Sequence, residues 1–419
     1  MLPAARSVAP PFDAAAVAAL PPMRQGSIQP YAPIEGPDVW LASDFPDASA
    51  YTIELSEAQG AELGAAAARI LESGRAAAVG NRLEGVCELT VADFDLPTLG
   101  PLLREAGREV ATGRGFVLLR RLPVAAWSRA QALVAFWGMG LHWGVPMAQN
   151  ERGHVIGHVT DVGVDPENRN PNTRIYMTRA AQPWHVDSAD AAALLCLAEA
   201  KEGGETAFAS SSAIINIIRQ EEPELLPVLA GPWFFDRKGE LVPGESPVFD
   251  MPILHYHRGR ALVAFHDSYY QLASNKWGGA ATLTPLQERA LQKFREVADR
   301  PGVAVRYRMS PGDVPVIHNH TAVHNRSAYR DWEDESGSKR HLLRLWIAYP
   351  PPGAPPLPPC YAHLFKRFAG DDRGLTRRAG SDWAPPGGGV VPLEAEVGQA
   401  HIPGPGGAEG AAAGGGARQ

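Results

Sequence analysis

The sequence has little cysteine and no long apolar run. Its three cysteines, Cys87, Cys196 and Cys360, lie far apart and are odd in number, so neither a disulfide framework nor a cysteine-based zinc site is expected. No run approaches the ~18 apolar residues of a membrane-spanning helix. Prolines interrupt the N-terminal stretch where a signal peptide would need its apolar core. We therefore expect a cytoplasmic protein with no membrane partner.

Positive charge is also sparse. The chain has 39 Lys and Arg against 46 Asp and Glu, a formal net charge of -7, and no stripe dense in basic residues. Proteins that bind nucleic acid use such a stripe to neutralise phosphates, so no nucleic-acid partner is expected. The hydrophobic content of 45% is enough for a packed core. Self-association into a homo-oligomer is compatible with this composition.

A His-x-Asp pair stands in residues 182–188, which read QPWHVDS. On a β-strand, His185 and Asp187 would point to the same face because side chains alternate. One nitrogen and one oxygen donor are two of the three ligands of the 2-His-1-carboxylate triad, which binds Fe(II) and leaves three coordination positions open. A His-x-Asp pair is common by chance, so a third ligand must be found elsewhere.

Three histidines, His318, His320 and His324, cluster in residues 316–327. Periodicity alone does not choose among them, and strand histidines are often bonded to backbone or water. His255 and His257 form another such pair, for which a structural role is expected.

Two arginines follow on a predicted strand over residues 339–349. Leu343, Leu345 and Ile347 alternate onto one face, and Arg340 and Arg344 lie on the other. This pattern is compatible with a solvated face of ion pairs. Because guanidinium groups bind carboxylates through two hydrogen bonds, and a histidine cluster lies just upstream, it favours an anion pocket beside a metal.

Together these segments resemble the taurine dioxygenase family, also called the clavaminate synthase-like group, of Fe(II)- and 2-oxoglutarate-dependent oxygenases. The resemblance spans residues 115–349. It implies that His185 and Asp187 are metal ligands, and that His324, five positions after Asn319, is the third. At position 181 this chain has alanine where short members have a substrate-contacting asparagine, which puts a taurine-type substrate pocket in doubt.

The resemblance also implies a cosubstrate site. Arg340 would bind the distal carboxylate of 2-oxoglutarate, and Thr206, in the segment Gly203-Gly204-Glu205-Thr206, would contact the same molecule. Arg344 follows four residues after Arg340. It would either bind an anionic group of the substrate or brace Arg340 or Asp187.

The implied function is that of an enzyme with Fe(II), 2-oxoglutarate and O₂ as cofactor and cosubstrates. It would hydroxylate an unactivated C–H of a small, anionic organic substrate and release succinate and CO₂. Two alternatives stay open at this point. One is a cupin-type dioxygenase that needs no cosubstrate, and the other is a non-catalytic barrel protein that only binds a ligand.

Many short predicted strands with helices between them favour a mainly β fold with flanking helices, a double-stranded β-helix (jelly roll, cupin-like). Residues 1–38 are expected to be a disordered leader, 39–350 the dioxygenase domain with its N-terminal helices outside the barrel, and 351–419 a Pro/Gly-rich, largely disordered tail. Capping boxes at Ser56 and Thr284 predict helix starts, with the first helix running to about Ala78. Residues 174–179 are predicted as a strand, and Tyr269, Tyr270 and Trp277 as loop residues near the substrate entrance.

Overall fold

The computed structural model describes residues 30–150, 152–164, 173–238, 246–333, 338–349, 357–364 and 389–396. Within these ranges the helices, numbered in chain order, are α1 (Glu57–Glu72), α2 (Leu99–Thr112), α3 (Arg129–Leu141), α4 (Ser211–Glu221), α5 (Leu225–Leu229), α6 (Asp267–Trp277), α7 (Pro285–Ala298) and α8 (Tyr361–Leu364). No helix in the described part of the chain combines the length and apolar character needed to cross a bilayer.

The strands in the same ranges are β1 (Thr52–Glu54), β2 (Ala77–Val79), β3 (Arg82–Glu84), β4 (Phe116–Arg120), β5 (Val145–Met147), β6 (Ile156–Val159), β7 (Gln182–His185), β8 (Ala191–Ala198), β9 (Glu202–Gly203), β10 (Thr206–Ser210), β11 (Phe234–Asp236), β12 (Val248–Asp250), β13 (Leu254–His257), β14 (Arg260–Val263), β15 (Val305–Tyr307), β16 (Val314–His318), β17 (Ala322–Arg326), β18 (Tyr329–Arg330) and β19 (His341–Ala348).

Both predicted capping boxes are present. In α1 the Ser56 hydroxyl accepts from the Gln59 backbone N–H, and the Gln59 side chain accepts from the Ser56 N–H; Thr284 and Gln287 do the same for α7. The prediction that the first helix extends to residue 78 is wrong. It stops at Glu72 because Gly74 takes φ +73, a left-handed conformation that ends helices, and the chain continues into β2.

Two sheets form the centre of the fold. The larger has the order β1-β4-β16-β8-β19-β5, with β6 also paired to β19, and the smaller has the order β15-β10-β17-β7. Apart from the parallel pair β1 and β4, the strand pairs within both sheets are antiparallel.

Strand β4 shows how alternation builds the layers. Its Phe116 and Leu118 point into a core shared with Phe208 of the smaller sheet, whereas Val117 and Leu119 pack in a second core with the N-terminal helices. Alternate side chains point to opposite faces of a strand, so the two sheets face each other and α1 to α3 cover the outside of the larger one.

The smaller sheet is covered by a second group of helices. Ala207, Ala209 and Val323 on its outer face pack with apolar residues of α4, α5 and α7 and with the β13–β14 hairpin. Helices therefore cover the outer face of each sheet, and the two inner faces lie between them. Polar groups placed between the sheets lie in a protected interior.

Two elements differ from the sequence-based expectation. Residues 174–179 do not form a strand, since Ile175–Met177 is a short 3-10 helix. Residues 267–277 are helix α6 rather than a loop. The sequence gives little indication of this helix, because its buried apolar residues are only Tyr270 and Ala273, one helical turn apart. Tyr270 is therefore a core residue, and Trp277 is 44% exposed.

Parts of the predicted leader and tail are packed on the domain. Ile34 is buried and exchanges two backbone hydrogen bonds of 2.8 Å with the Asn216 side chain, so the prediction of disorder does not hold for residues 30–38. In the tail, α8 buries Tyr361, and residues 389–396 bury Val391. The remainder of both predictions, residues 1–29 and most of 351–419, lies outside the described residues.

Candidate metal and cosubstrate site

Strands of the smaller sheet bring two histidines together. His324 lies on β17 directly opposite His185, the last residue of β7, and their ring centroids are 4.2 Å apart. The Nδ1 atom of His185 lies 2.8 Å from the carbonyl oxygen of Pro183. Because that contact suits a donated N–H, the lone pair lies on Nε2, where the side-chain amide nitrogen of Gln182 contacts it at 2.7 Å.

Asp187 reaches the same place by a different route from the one predicted. β7 ends at His185, so the pair does not share a strand. Instead the backbone N–H of Val186 donates to the carbonyl of Phe265, and that of Asp187 donates to the side-chain oxygen of Asn319 at 3.0 Å. In the sequence Asn319 marks only the spacing to His324, whereas in the structure it positions the carboxylate.

The three predicted ligands converge. His185, Asp187 and His324 each offer one ligand atom, all of these atoms lie within 4.8 Å of one another, and all three residues are buried. The carboxylate Oδ2 is 3.9 Å from His324 Nε2. Two imidazole nitrogens and one carboxylate oxygen match the donor set that suits Fe(II).

The protonation states also suit a cation. Burial lowers the pKa of His324 to about 3, and the nearby His185 acts in the same direction. Burial likewise lowers the pKa of His185. Burial raises the pKa of Asp187, but Arg344 and the two histidines outweigh it and bring that pKa to about 2. At neutral pH the site therefore offers neutral imidazoles and a carboxylate, the forms that bind a metal.

Arg344 braces the metal-binding carboxylate. Its Nη1 lies 3.2 Å from Asp187 Oδ1, and its Nε donates to the side-chain oxygen of Gln149 at 2.8 Å. Gln149 also donates to the Arg344 carbonyl at 2.7 Å. The guanidinium lies over the rings of Tyr176 and Trp346. Of the roles expected for Arg344, the described contacts fit the brace for Asp187.

Arg340 lies in a second pocket next to the glycine pair. A Cβ placed on Gly204 would lie 3.0 Å from Arg340 Nε, so the missing side chain of Gly204 leaves room for the guanidinium. Arg340 is 3% exposed, and its Nη1 is buried without a hydrogen-bond partner among the described residues. Thr206, two residues after Gly204, is buried too. A donor of this kind fits the carboxylate of a bound ligand.

Sequence reasoning missed Arg326. It lies opposite Thr206 in the sheet, is 6% exposed, and its guanidinium is 4.9 Å from the Tyr329 ring, which Arg340 approaches to 5.2 Å. Burial and the charge of Arg340 lower the pKa of Arg326 to about 10. The available signal was its position two residues after His324, which places both on one strand face.

Other histidines are held by structural contacts. His320 Nε2 lies 2.9 Å from Asp190 Oδ1, His318 Nδ1 lies 2.8 Å from the Thr321 hydroxyl, and His255 Nδ1 approaches Cys360. His341 contacts His158 at 2.7 Å. The structural roles expected for His255, His318 and His320 agree with these contacts. A cleft of about 640 Å³ borders His341, and its lining includes none of the triad.

Comparison with known sequences identifies related proteins. The family described as "Taurine catabolism dioxygenase TauD, TfdA family" matches residues 82–346. FR-33289 synthase of Streptomyces rubellomurinus (strain ATCC 31215) is 37% identical over 325 residues, which cover 75% of this chain and 90% of that protein. The taurine hydroxylase-like protein SAT17 of Stachybotrys chartarum (strain CBS 109288 / IBT 7711) is 27% identical over 314 residues, 73% of this chain and 77% of that protein.

Solved structures share the fold. An asparagine oxygenase in complex with Fe(II), 2S,3S-3-hydroxyasparagine and succinate matches with a TM-score of 0.53 and 18% identity, covering 71% of this chain and 93% of that chain. The non-heme iron oxygenase OrfP in complex with Fe, succinate and (3S)-hydroxy-L-Arg matches with a TM-score of 0.51 and 15% identity, covering 71% and 94%. The predicted double-stranded β-helix is confirmed.

Proposed function

Because the chain belongs to the taurine catabolism dioxygenase TauD, TfdA family, we propose that His185, Asp187 and His324 bind its Fe(II). Arg340 and Thr206 bind the distal carboxylate of 2-oxoglutarate. The reaction is hydroxylation of an unactivated C–H of a small, anionic organic molecule. Arg344 serves the metal site by holding Asp187.

Membership of this family makes the protein an Fe(II)- and 2-oxoglutarate-dependent oxygenase that consumes O₂. The resemblance drawn from the sequence is confirmed, and with it the enzyme class and the cofactors. A cosubstrate-independent cupin-type enzyme and a non-catalytic binding protein are no longer favoured.

One observation carries the assignment of the site: three buried ligand atoms, two from imidazoles and one from a carboxylate, lie within 4.8 Å of one another. The buried Nη1 of Arg340, which has no hydrogen-bond partner among the described residues, supports the cosubstrate position. Buried donors are rarely left unpaired, and a ligand carboxylate would satisfy this one.

When bound, Fe(II) supplies oxidation of a C–H bond coupled to decarboxylation of 2-oxoglutarate to succinate and CO₂. The chain's own residues orient the reactants. Arg344 fixes one oxygen of Asp187 and leaves the other facing His324, and the Pro183 carbonyl fixes the ring of His185. The enclosed space between the sheets excludes bulk water from the reacting groups.

The relatives indicate the general class of substrate but not the substrate itself. One relative is named a taurine hydroxylase-like protein, and the similar solved structures hold hydroxylated asparagine and hydroxylated arginine. We infer a small polar substrate for this chain. A cytoplasmic location also belongs to the proposal, since three dispersed cysteines suit a reducing compartment.

Absorption spectroscopy tests the site. Under anaerobic conditions, Fe(II) and 2-oxoglutarate added to the protein should give a weak charge-transfer band. His185→Ala and His324→Ala should lose both the band and stoichiometric iron, whereas Arg340→Gln should retain iron and require more 2-oxoglutarate. His257→Ala is the matched control, because sequence alone allowed a metal pair there, and it should behave as wild type. A full band in His324→Ala would contradict the assignment.

A further inference from the structure

Arg326 and Arg340 contact the same aromatic ring. The guanidinium carbon of Arg326 is 4.9 Å from the centroid of the Tyr329 ring, and that of Arg340 is 5.2 Å from it. All three side chains belong to buried residues. Two guanidinium groups of the same charge are therefore held close together in the protein interior, next to the proposed position of the cosubstrate.

The smaller sheet and the segment before β7 hold Arg326 in place. In the sheet, Arg326 lies opposite Thr206 of β10 on one side and opposite Gln182 of β7 on the other. Its Nη2 donates to the carbonyl oxygen of Thr178 at 3.0 Å and to that of Ala180. These contacts occupy one of the three guanidinium nitrogens. The other two, Nε and Nη1, are buried without a hydrogen-bond partner among the described residues.

No carboxylate of the described chain balances the charges of this pair. Neither guanidinium forms an ion pair with an aspartate or glutamate in the described ranges, and Asp331 accepts from the backbone N–H of Arg340 at 2.7 Å. Burial lowers the pKa of both arginines, yet guanidinium groups stay protonated in proteins. Two buried like charges without a counter-charge cost free energy, which an anionic ligand would recover.

The unpaired polar atoms around this ring are all able to donate. They are Arg326 Nε and Nη1, Arg340 Nη1 and the Tyr329 hydroxyl. Burial raises the pKa of Tyr329 to about 12, so its hydroxyl keeps its proton at neutral pH. Buried donors are rarely left unpaired, and a carboxylate accepts several hydrogen bonds at once through its two oxygens. The donors and the charges therefore fit the same kind of ligand group.

We propose that Arg326 is a second guanidinium of the cosubstrate site, which joins Arg340 and the Tyr329 hydroxyl in binding the distal carboxylate of 2-oxoglutarate. Arg326 is thereby a specificity-determining residue, because it selects 2-oxoglutarate over 2-oxo acids that lack this carboxylate. The proposal rests on the proposed function, since it concerns the cosubstrate of the same reaction.

A pair of 2-oxo acids tests this role. 2-Oxoglutarate and 2-oxopentanoate have the same chain length and the same 2-oxo acid end, but only 2-oxoglutarate has a distal carboxylate. Each is titrated anaerobically into the protein loaded with Fe(II), and the charge-transfer band gives its Kd. Arg326→Gln should raise the Kd of 2-oxoglutarate by ~10-fold or more, because a charge-assisted contact is lost. The Kd of 2-oxopentanoate should stay close to that of wild type.

Arg330→Gln is the matched control. Arg330 follows Tyr329 on β18, but its Nε donates to the exposed Glu202 at 3.1 Å, so both Kd values should match those of wild type. Arg326→Lys keeps the charge and should lose less affinity for 2-oxoglutarate than Arg326→Gln. Tyr329→Phe keeps the ring, removes the unpaired hydroxyl and should weaken the binding of 2-oxoglutarate alone. These two variants decide the question if Arg326→Gln does not fold by circular dichroism.

The outcomes separate this role from the proposed function. An unchanged Kd for 2-oxoglutarate in Arg326→Gln, or an equal rise in the Kd of both 2-oxo acids, overturns the role of Arg326. If Arg340→Gln weakens 2-oxoglutarate binding and Arg326→Gln does not, the proposed function stands and this inference fails. A wild-type protein that gives no band with 2-oxoglutarate would refute the proposed function itself, and this inference with it.

Discussion

Arg344 and Asp187 form a buried pair, with Nη1 3.2 Å from Oδ1 and both side chains 7% exposed. Gln149 holds the Arg344 guanidinium from the other side at 2.8 Å. This arrangement assigns one carboxylate oxygen to the arginine and turns the other toward His324. The pair therefore orients the Asp187 carboxylate for metal binding.

Replacement of Arg344 should destabilise the metal-free protein most. Arg344→Gln leaves the Asp187 charge buried without its partner, which costs ~3–5 kcal/mol of the free energy of unfolding. Bound Fe(II) compensates the same charge, so the loss should be smaller in the iron-loaded protein. Urea unfolding with and without Fe(II) measures both values. Arg344→Lys is the control that keeps the charge. An equal loss in the two states would show that the pair does not act on the metal ligand.

Gly204→Ala should weaken 2-oxoglutarate binding. The new Cβ would lie 3.0 Å from Arg340 Nε and 3.2 Å from its Cδ, so the guanidinium must move. We expect a roughly tenfold higher Kd for 2-oxoglutarate, since overpacking costs of this kind exceed 1 kcal/mol, and unchanged iron content. Gly74→Ala is the matched control, because Gly74 has φ +73 against +74 for Gly204 and nothing within 4 Å of the added Cβ. Equal Kd values for both variants would place Arg340 outside the cosubstrate site.

His158 should make the stability of the protein depend on pH. Burial lowers its pKa from 6.5 to about 4, so between these values the unfolded chain binds a proton that the folded chain does not. Stability is then lost as pH falls through 6.5, by roughly 2 kcal/mol at pH 5. In His158→Gln this contribution is absent, so the stability advantage of wild type over the variant should shrink from pH 7.5 to pH 5.0. Urea unfolding at both pH values measures this stability advantage. A difference in unfolding free energy between wild type and His158→Gln that stays the same at both pH values would contradict the prediction.

Val391→Ala should lower stability although the residue lies in the predicted tail. Val391 is 2% exposed, and its carbonyl accepts from the Leu83 N–H at 2.8 Å. Removal of two buried methyl groups should cost roughly 2 kcal/mol. Val79→Ala is the control in the neighbouring hairpin, where Val79 is 53% exposed and little change is expected. Thermal unfolding compares the two. Equal melting temperatures would mean that residues 389–396 do not stabilise the domain.

Local patterns in the sequence predicted the elements that depend on local physics. The two capping boxes and the alternation in β19 involve neighbours within a few positions, so the amino-acid order is sufficient to place them. Helix α6 was not predicted, because its buried apolar residues are only Tyr270 and Ala273. Two residues are too few to show a helical period in the sequence.

The sequence by itself determined which donors could bind a metal and a carboxylate: histidines and an aspartate in two segments, and arginines on one strand face. Only the tertiary structure decided that Arg344 meets Asp187, that Arg326 lies opposite Thr206, and that Lys238 and Arg174 meet at Tyr269. These contacts join segments that are far apart in the chain, and each depends on how two sheets and their covering helices pack. Periodicity within one segment carries no information about a partner in another, because that partner is chosen by burial and charge when the chain folds.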